Sequence, residues 1–341
     1  MSSYMDKLNG FVNSTYVGFS LTLSKDVGIL QALMEAQRPL TSQEIAEQRG
    51  LKERYVRELL GSLATAEVIQ ASTNEAGSLV YHLEEDEKKV FKTHLLTRIS
   101  FPMAMIRVYE DVKSCISNTG PHGFRMPAKF HDVIEEYGPI HFEVYVNTIM
   151  KSVDGLKPQL ESGIDVMEVG CGRGRMLAKI AQMFPKSSFT ASDNLDSLLD
   201  HQKANLGHLP NVECGIIDLC SPSNLPSKQY DWVYCVNVIH DVPEPQEALR
   251  SIRKMTKPGG VFTMIDFASS GSPIAERGNL LMACMYTVST FMSLPESYQR
   301  EDSHAMGPCW GKQTALNLLS AAGFEVNTVA LEYPITLFVC K

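Results

Sequence analysis

Apolar residues change their spacing once along this chain, near residue 163. Before that point they recur at helical intervals. Val27, Leu30, Leu33 and Met34 share one helical face, with Ser24 as a candidate cap and Pro39 closing the segment. Thr41-Ser42-Gln43-Glu44 has capping-box spacing and opens a short helix that stops at Gly50. A second helix follows between residues 51 and 69, carrying Val56, Leu59, Leu60 and Leu63. Beyond it, a polar stretch with Asn74 and Gly77 ends at Tyr81 and reads as a hairpin. Helix, turn, helix and hairpin together predict a winged helix-turn-helix domain over residues 1–100. Residues 101–160 read as linking helices that wall a substrate pocket, interrupted at Gly120-Pro121-His122-Gly123 and at Tyr137-Gly138-Pro139.

After residue 163 short apolar runs alternate with amphipathic segments, which predicts an α/β domain over 161–341 with a mainly parallel sheet. Expected strands are 165–169, 188–192, 212–217, 232–236, 261–265, 324–331 and 335–340. Only Glu332-Tyr333-Pro334 joins the last two, too short for a parallel crossover, so an antiparallel hairpin should end the sheet.

Composition narrows the class. At 341 residues, 44% hydrophobic and 21% charged, the chain suits two globular domains rather than a disordered protein. No apolar run reaches the roughly 18 residues of a membrane span, and the N-terminus lacks a secretory pattern, so a cytoplasmic protein is expected. Eight scattered cysteines without a Cys-x-x-Cys pair suggest neither a disulfide framework nor a metal site. The net charge of -8 disfavours nucleic acid. Within residues 1–100, 11 basic residues meet 13 acidic ones, and the second helix mixes Lys52, Arg54 and Arg57 with Glu53 and Glu58. The winged helix is therefore expected to pair two subunits as a homodimer. The rival reading is a DNA-binding regulator with a ligand-sensing second domain.

The strand ending at Val169 runs into Gly170-Cys171-Gly172-Arg173-Gly174, and a helix follows. Glycines let backbone turn tightly and approach a ligand, at the strand ends where open α/β sheets bind. The third glycine stands one residue too early for a dinucleotide fingerprint. Glu168 would repel a pyrophosphate yet attract an ammonium or a sulfonium. Asp193 closes the next strand, placed to accept from ribose hydroxyls, and Asp218 the one after, within reach of an adenine amino group.

Glu168-Val169-Gly170-Cys171-Gly172-Arg173-Gly174, the two acidic strand ends and Lys257-Pro258-Gly259-Gly260 resemble the class I S-adenosylmethionine-dependent methyltransferases. With the winged helix included, nearly the whole chain resembles small-molecule O-methyltransferases of that class. The resemblance implies a Rossmann-like seven-stranded methyltransferase sheet with S-adenosylmethionine as cofactor. Glu168, Gly170, Cys171 and Gly172 would surround its methionine part, Asp193 and Asn194 the ribose, Asp218 and Leu219 the adenine, with Asn237 alongside.

Methyl transfer needs alignment and, for a protic acceptor, a base. His240, after the fourth strand of the sheet, is the candidate; otherwise it is a wall residue. In similar plant enzymes acidic residues further along orient this base, and Trp310-Gly311-Lys312-Gln313-Thr314 offers no counterpart. A thiol acceptor would depend less on a base, so small thiols stand beside phenols and other hydroxyls. The Met- and aromatic-rich insertion from Ala268 to Gly311 is positioned to roof a pocket, with Tyr286, Met292 and Trp310 as candidate substrate contacts.

Overall fold

The computed structural model describes residues 2–93 and 98–341, which divide into two compact units, 1–107 and 108–341. Residues 101–107 thus fall with the first unit and 108–160 with the second.

In the first unit, α1 (Ser2–Asp26) and α2 (Ile29–Glu35) are separated at Gly28, whose left-handed φ of 82° ends one helix and starts the other. Ser24 is therefore no cap. It lies inside α1, fully buried, because α1 extends the helical segment back to residue 2. The expected capping box is present: α3 (Ser42–Arg49) starts with Thr41 accepting from the Glu44 N–H while the Glu44 carboxylate accepts from the Thr41 N–H. Gly50 closes α3 in the left-handed conformation. Helix α4 (Glu53–Thr65) buries Val56, Leu60 and Leu63 against Ile29, Leu30, Leu33 and Ile45. The antiparallel hairpin of β1 (Gln70–Thr73) and β2 (Leu79–His82) completes the winged helix-turn-helix, and α5 (Glu85–Phe91) and α6 (Phe101–Arg107) follow.

The second unit begins with α7 (Tyr109–Ile116), α8 (Ala128–Ser152) and α9 (Leu156–Ser162). Helix α8 runs unbroken through Tyr137-Gly138-Pro139, where a turn was expected. Proline there forfeits one intrahelical bond. Burial of Tyr145, Val146 and Ile149 in the core of the unit holds the helix down over its second half.

A seven-stranded sheet follows, in the order β5-β4-β3-β6-β7-β9-β8. Its strands are β3 (Asp165–Val169), β4 (Ser188–Asp193), β5 (Val212–Ile216), β6 (Tyr230–Val236), β7 (Thr256–Phe267), β8 (Val326–Ala330) and β9 (Ile335–Cys340). The first five pair in parallel, while β9 lies antiparallel between β7 and β8, as the short connection required. Helices α10 (Arg175–Met183), α11 (Asp196–Leu206), α12 (Pro245–Met255), α13 (Leu280–Val288), α14 (Leu294–Ser297) and α15 (Lys312–Ala321) link the strands. Two buried clusters form the core, one around Trp232, Tyr234 and Phe189, the other around Val233, Phe262 and Phe338. The chain reverses order between β3 and β6, so the ends of β3, β4 and β6 open onto the topological switch point.

Candidate active site

The glycine turn sits at the end of β3, and its shape requires its glycines. Gly170, Gly172 and Gly174 have φ of 64°, 55° and 77°, a region that disfavours any side chain. A Cβ on Gly170 would also stand 2.5 Å from the Val238 side chain. That close approach brings the segment after β6, which carries the candidate base, directly against the turn.

Glu168 is buried and accepts the Tyr234 hydroxyl at 3.1 Å, while the Ser192 hydroxyl donates to its carbonyl at 2.9 Å. Asp193 is also buried, which pushes its carboxyl pKa up. Its two oxygens accept the N–H groups of Gly172 at 2.9 Å and Leu195 at 3.1 Å. The carboxylate thus braces the glycine turn, with capacity left for a ligand's donors. Cys171 donates its N–H to the Ser192 carbonyl at 2.9 Å, and burial raises its thiol pKa well above the usual range. Asn194 is exposed next to Asp193. Beyond β5, Asp218 is exposed and accepts the Cys220 N–H at 2.9 Å, while Leu219 is buried in the second core cluster. Asn237 follows β6 at a φ of 54°, unusual for a residue with a side chain, and its buried Oδ1 has no hydrogen-bond partner. A left-handed φ and an unpaired buried acceptor are both costs to the fold.

His240 lies in a 3-10 turn, Ile239–Asp241, and is 3% exposed. Its Nδ1 is 2.5 Å from Asp266 Oδ1, and its Nε2 is 3.2 Å from Asp241 Oδ1. Burial alone would lower the imidazole pKa. The charges of Asp241 and Asp266, with the Asp266 hydrogen bond, outweigh that and raise it to about 9. Phe267 packs edge-on against the ring at 5.3 Å, and the Gly307 N–H holds the His240 carbonyl at 3.0 Å.

An acidic partner for His240 therefore exists, but not where it was sought. Gln313 of the 310–314 segment bonds Asn317 on an exposed surface. Asp266, fully buried near the end of β7, is the partner instead. Its signal was available, since an acid near the carboxyl end of a strand beside β6 must lie at the same sheet edge. Ser293, whose hydroxyl lowers the pKa of Asp241, was not legible: it ends a π-helical turn, Ser289–Ser293, that helical periodicity does not reveal. Glu296 was also missed. It accepts the Met126 N–H at 2.5 Å and, with the Phe124 N–H on the Pro295 carbonyl, ties residues 124–126 to α14.

Of the expected substrate contacts, Tyr286 on α13 and Met292 in the π turn are half-buried, whereas Trp310 is committed to the core. Its indole N–H donates to the Phe267 carbonyl at 2.8 Å. Trp310 supports the strand behind Asp266 rather than offering a free face. Among the described residues no group of three or more His, Cys, Asp or Glu side chains could hold a metal ion, and no helix is long and apolar enough to cross a membrane.

Comparison with known proteins agrees with this geometry. Residues 167–262 match the model of a methyltransferase domain, and residues 16–98 that of the Rv2258c-like winged HTH domain. A ubiquinone biosynthesis O-methyltransferase of Proteus mirabilis is 26% identical over 141 residues, 39% of this chain and 53% of that protein. A highly reducing polyketide synthase of Emericella nidulans is 30% identical over 121 residues, 33% of this chain but 5% of the synthase. The chain thus spans only part of the curated relatives it matches. Two solved structures share the fold over almost all of both chains. An O-methyltransferase family protein from Burkholderia thailandensis has a TM-score of 0.70 at 14% identity, covering 99% of this chain and 97% of that one. Human N-acetylserotonin methyltransferase in complex with SAM has a TM-score of 0.67 at 16% identity, with the same coverage.

Proposed function

Starting from a chain that carries a methyltransferase domain behind a winged helix-turn-helix domain, we propose that it transfers the methyl group of S-adenosylmethionine to the hydroxyl or thiol of a small molecule. The observation that carries this reading is the close approach of Gly170 to Val238, which packs against the glycine turn the segment that bears the carboxylate-paired His240. The residues fit such a cofactor. Two buried carboxylates, Glu168 and Asp193, flank the turn, and the unpaired Asn237 oxygen adds an acceptor, a set suited to a cationic ligand with hydroxyl and amino donors. Glu168, Gly170, Cys171 and Gly172 would hold its amino-acid part, Asp193 and Asn194 the ribose, and Asp218 and Leu219 the adenine. Bound there, the cofactor supplies an electrophilic methyl group on a sulfonium.

His240 governs the proton on the acceptor. At neutral pH an imidazole whose pKa is raised to about 9 is mostly protonated. The resting group is an imidazolium locked by Asp266, able to stabilise an anionic acceptor. Its neutral fraction, growing with pH, takes the proton from a hydroxyl. Thiols and acidic phenols, which ionise readily, suit this site best. Tyr286 and Met292 supply adaptable apolar contacts for the acceptor.

The partner we propose is a second copy of the chain. Helix α1 exposes Tyr4, Leu8, Phe11, Tyr16, Phe19 and Leu23 at three- to five-residue intervals, an apolar stripe of a kind monomers rarely leave open. DNA is disfavoured as a partner by α4, where Arg54 pairs with Glu58 and Arg57 with Glu53. Eight unpaired cysteines favour a reducing, cytoplasmic setting.

Calorimetric titration with S-adenosylmethionine and S-adenosylhomocysteine tests the reading. Micromolar binding that collapses in Asp193→Ala is expected, followed by methylation within a panel of thiols and phenols. Folded protein that binds neither ligand would refute it.

A further inference from the structure

Helix α11 turns one face to the glycine turn. Gln202, Asn205 and Leu206 stand at i, i+3 and i+4, the spacing that brings side chains to one side of a helix. The Gln202 amide donates from Nε2 to the Gly172 carbonyl at 2.8 Å, with Cys171 Sγ at 3.3 Å from the same atom. Asn205 donates from Nδ2 to the Arg173 carbonyl at 3.0 Å. Leu206 fills the space above Gly174, where a Cβ would lie 2.6 Å from its Cδ1. Three consecutive residues of the turn are thus gripped by one helix.

The hold on Gly172 is two-sided. Asp193 binds its N–H and Gln202 its carbonyl, so both polar groups of a residue at φ 55° are fixed by side chains of the β4–α11 segment. Gln202 is 1% exposed, and its Oε1 is buried with no hydrogen-bond partner. An unpaired buried acceptor is a standing cost. If the site needed only to be filled, a methionine would match its length without that cost.

We propose that Gln202 is a positioning residue for the methyl-donor cofactor, fixing the glycine turn in its binding conformation before the ligand arrives. This rests on the methyltransferase reading above. A turn held in place does not have to be ordered on binding, and that saving appears as affinity.

The variants Q202M and Q202E test it. Methionine removes the donor and the unpaired oxygen but keeps the volume. Q202M is expected to unfold at the wild-type midpoint while binding S-adenosylhomocysteine about tenfold more weakly, and to raise KM for S-adenosylmethionine with kcat retained. In Q202E the ionised carboxylate faces the Gly172 carbonyl, so binding falls further at pH 8. It recovers relative to wild type at pH 5.5, where a protonated acid can donate again. Wild-type affinity in Q202M, a loss matched by a lower unfolding midpoint, or a Q202E defect that ignores pH would each overturn the proposal. Wild-type protein that binds neither cofactor form would show instead that the methyltransferase reading itself is wrong.

Discussion

The His240–Asp266 pair makes the stability of the second unit depend on pH in a definite direction. The folded-state pKa of His240, about 9, lies above its ordinary value of 6.5, so its charged form is favoured by folding. The stabilisation is fully present below pH 6.5 and is lost as pH rises through about 9. The interval between those values corresponds to at most about 3 kcal/mol, since the imidazole and the Asp266 carboxylate are buried while Asp241, the other charge that raises the pKa, is partly exposed and screened. The perturbation is the double substitution His240→Gln with Asp266→Asn, which replaces the ion pair by two neutral amides and leaves Asp241 ionised at all three pH values, so that its charge does not vary across the comparison. Urea unfolding of both proteins at pH 6, 7.5 and 9.5 gives the difference at each pH. Both tryptophans, Trp232 and Trp310, lie in the second unit, so their fluorescence reports that unit alone. The wild-type advantage should shrink by at most about 3 kcal/mol from the lowest pH to the highest. A difference flat to within about 0.5 kcal/mol, or one that grows with pH, would mean that His240 is not held as an imidazolium and would remove the basis of its proposed role.

The same pair controls rate: kcat/KM for a hydroxyl acceptor should climb with pH toward about 9, and in Asp266→Asn the midpoint of that rise should move down by at least one pH unit, read from initial rates. Gly170→Ala combines a left-handed φ with a Cβ 2.5 Å from Val238, so it should cost about 2–4 kcal/mol of stability and abolish cofactor binding; adding Val238→Ala should return part of the stability in urea melts. Thr41→Ala removes the capping box of α3 and should lower the stability of the first unit by about 1 kcal/mol, leaving calorimetric binding of S-adenosylhomocysteine unchanged. Phe11→Glu with Tyr16→Glu places charge on the α1 stripe and should halve the solution mass seen by light scattering; an unaltered mass would dismiss α1 as the dimer surface.

Elements governed by local chemistry were legible in the sequence. The capping box at Thr41, the stop at Gly50 and the antiparallel β8–β9 pair follow from short-range sterics and hydrogen bonding, and each is where the residues point. Tertiary context decided the rest. Ser24 has the chemistry of a cap but sits inside a helix that begins 22 residues earlier, because chain on its N-terminal side also chose a helix. Pro139 has the chemistry of a breaker, yet α8 continues through it because residues 145–149 are pinned in the core. Trp310 looked like a pocket aromatic, but an indole N–H needs an acceptor when buried, and the Phe267 carbonyl supplies it.

Asp193 shows how far a motif can carry the chemistry of a site. The acid at the end of β4 was placed as a ribose ligand, whereas its carboxylate already accepts the Gly172 N–H and, with Gln202, fixes the turn. Asp193→Ala therefore removes two things at once, a ligand contact and a brace, and loss of binding alone cannot apportion them. Asp193→Asn can. Its amide oxygen can still accept the Gly172 N–H, so the contact to the glycine turn survives, but the acceptor for the Leu195 N–H and the negative charge are gone. If Asp193 acts mainly as a brace, the asparagine variant should bind S-adenosylhomocysteine close to wild type while alanine fails. If the ribose contact dominates, the two should fail alike, because an Asn amide offers one acceptor where two hydroxyl donors must be met. The second outcome would also weaken the case for Gln202, whose role depends on a turn that must be held from both sides.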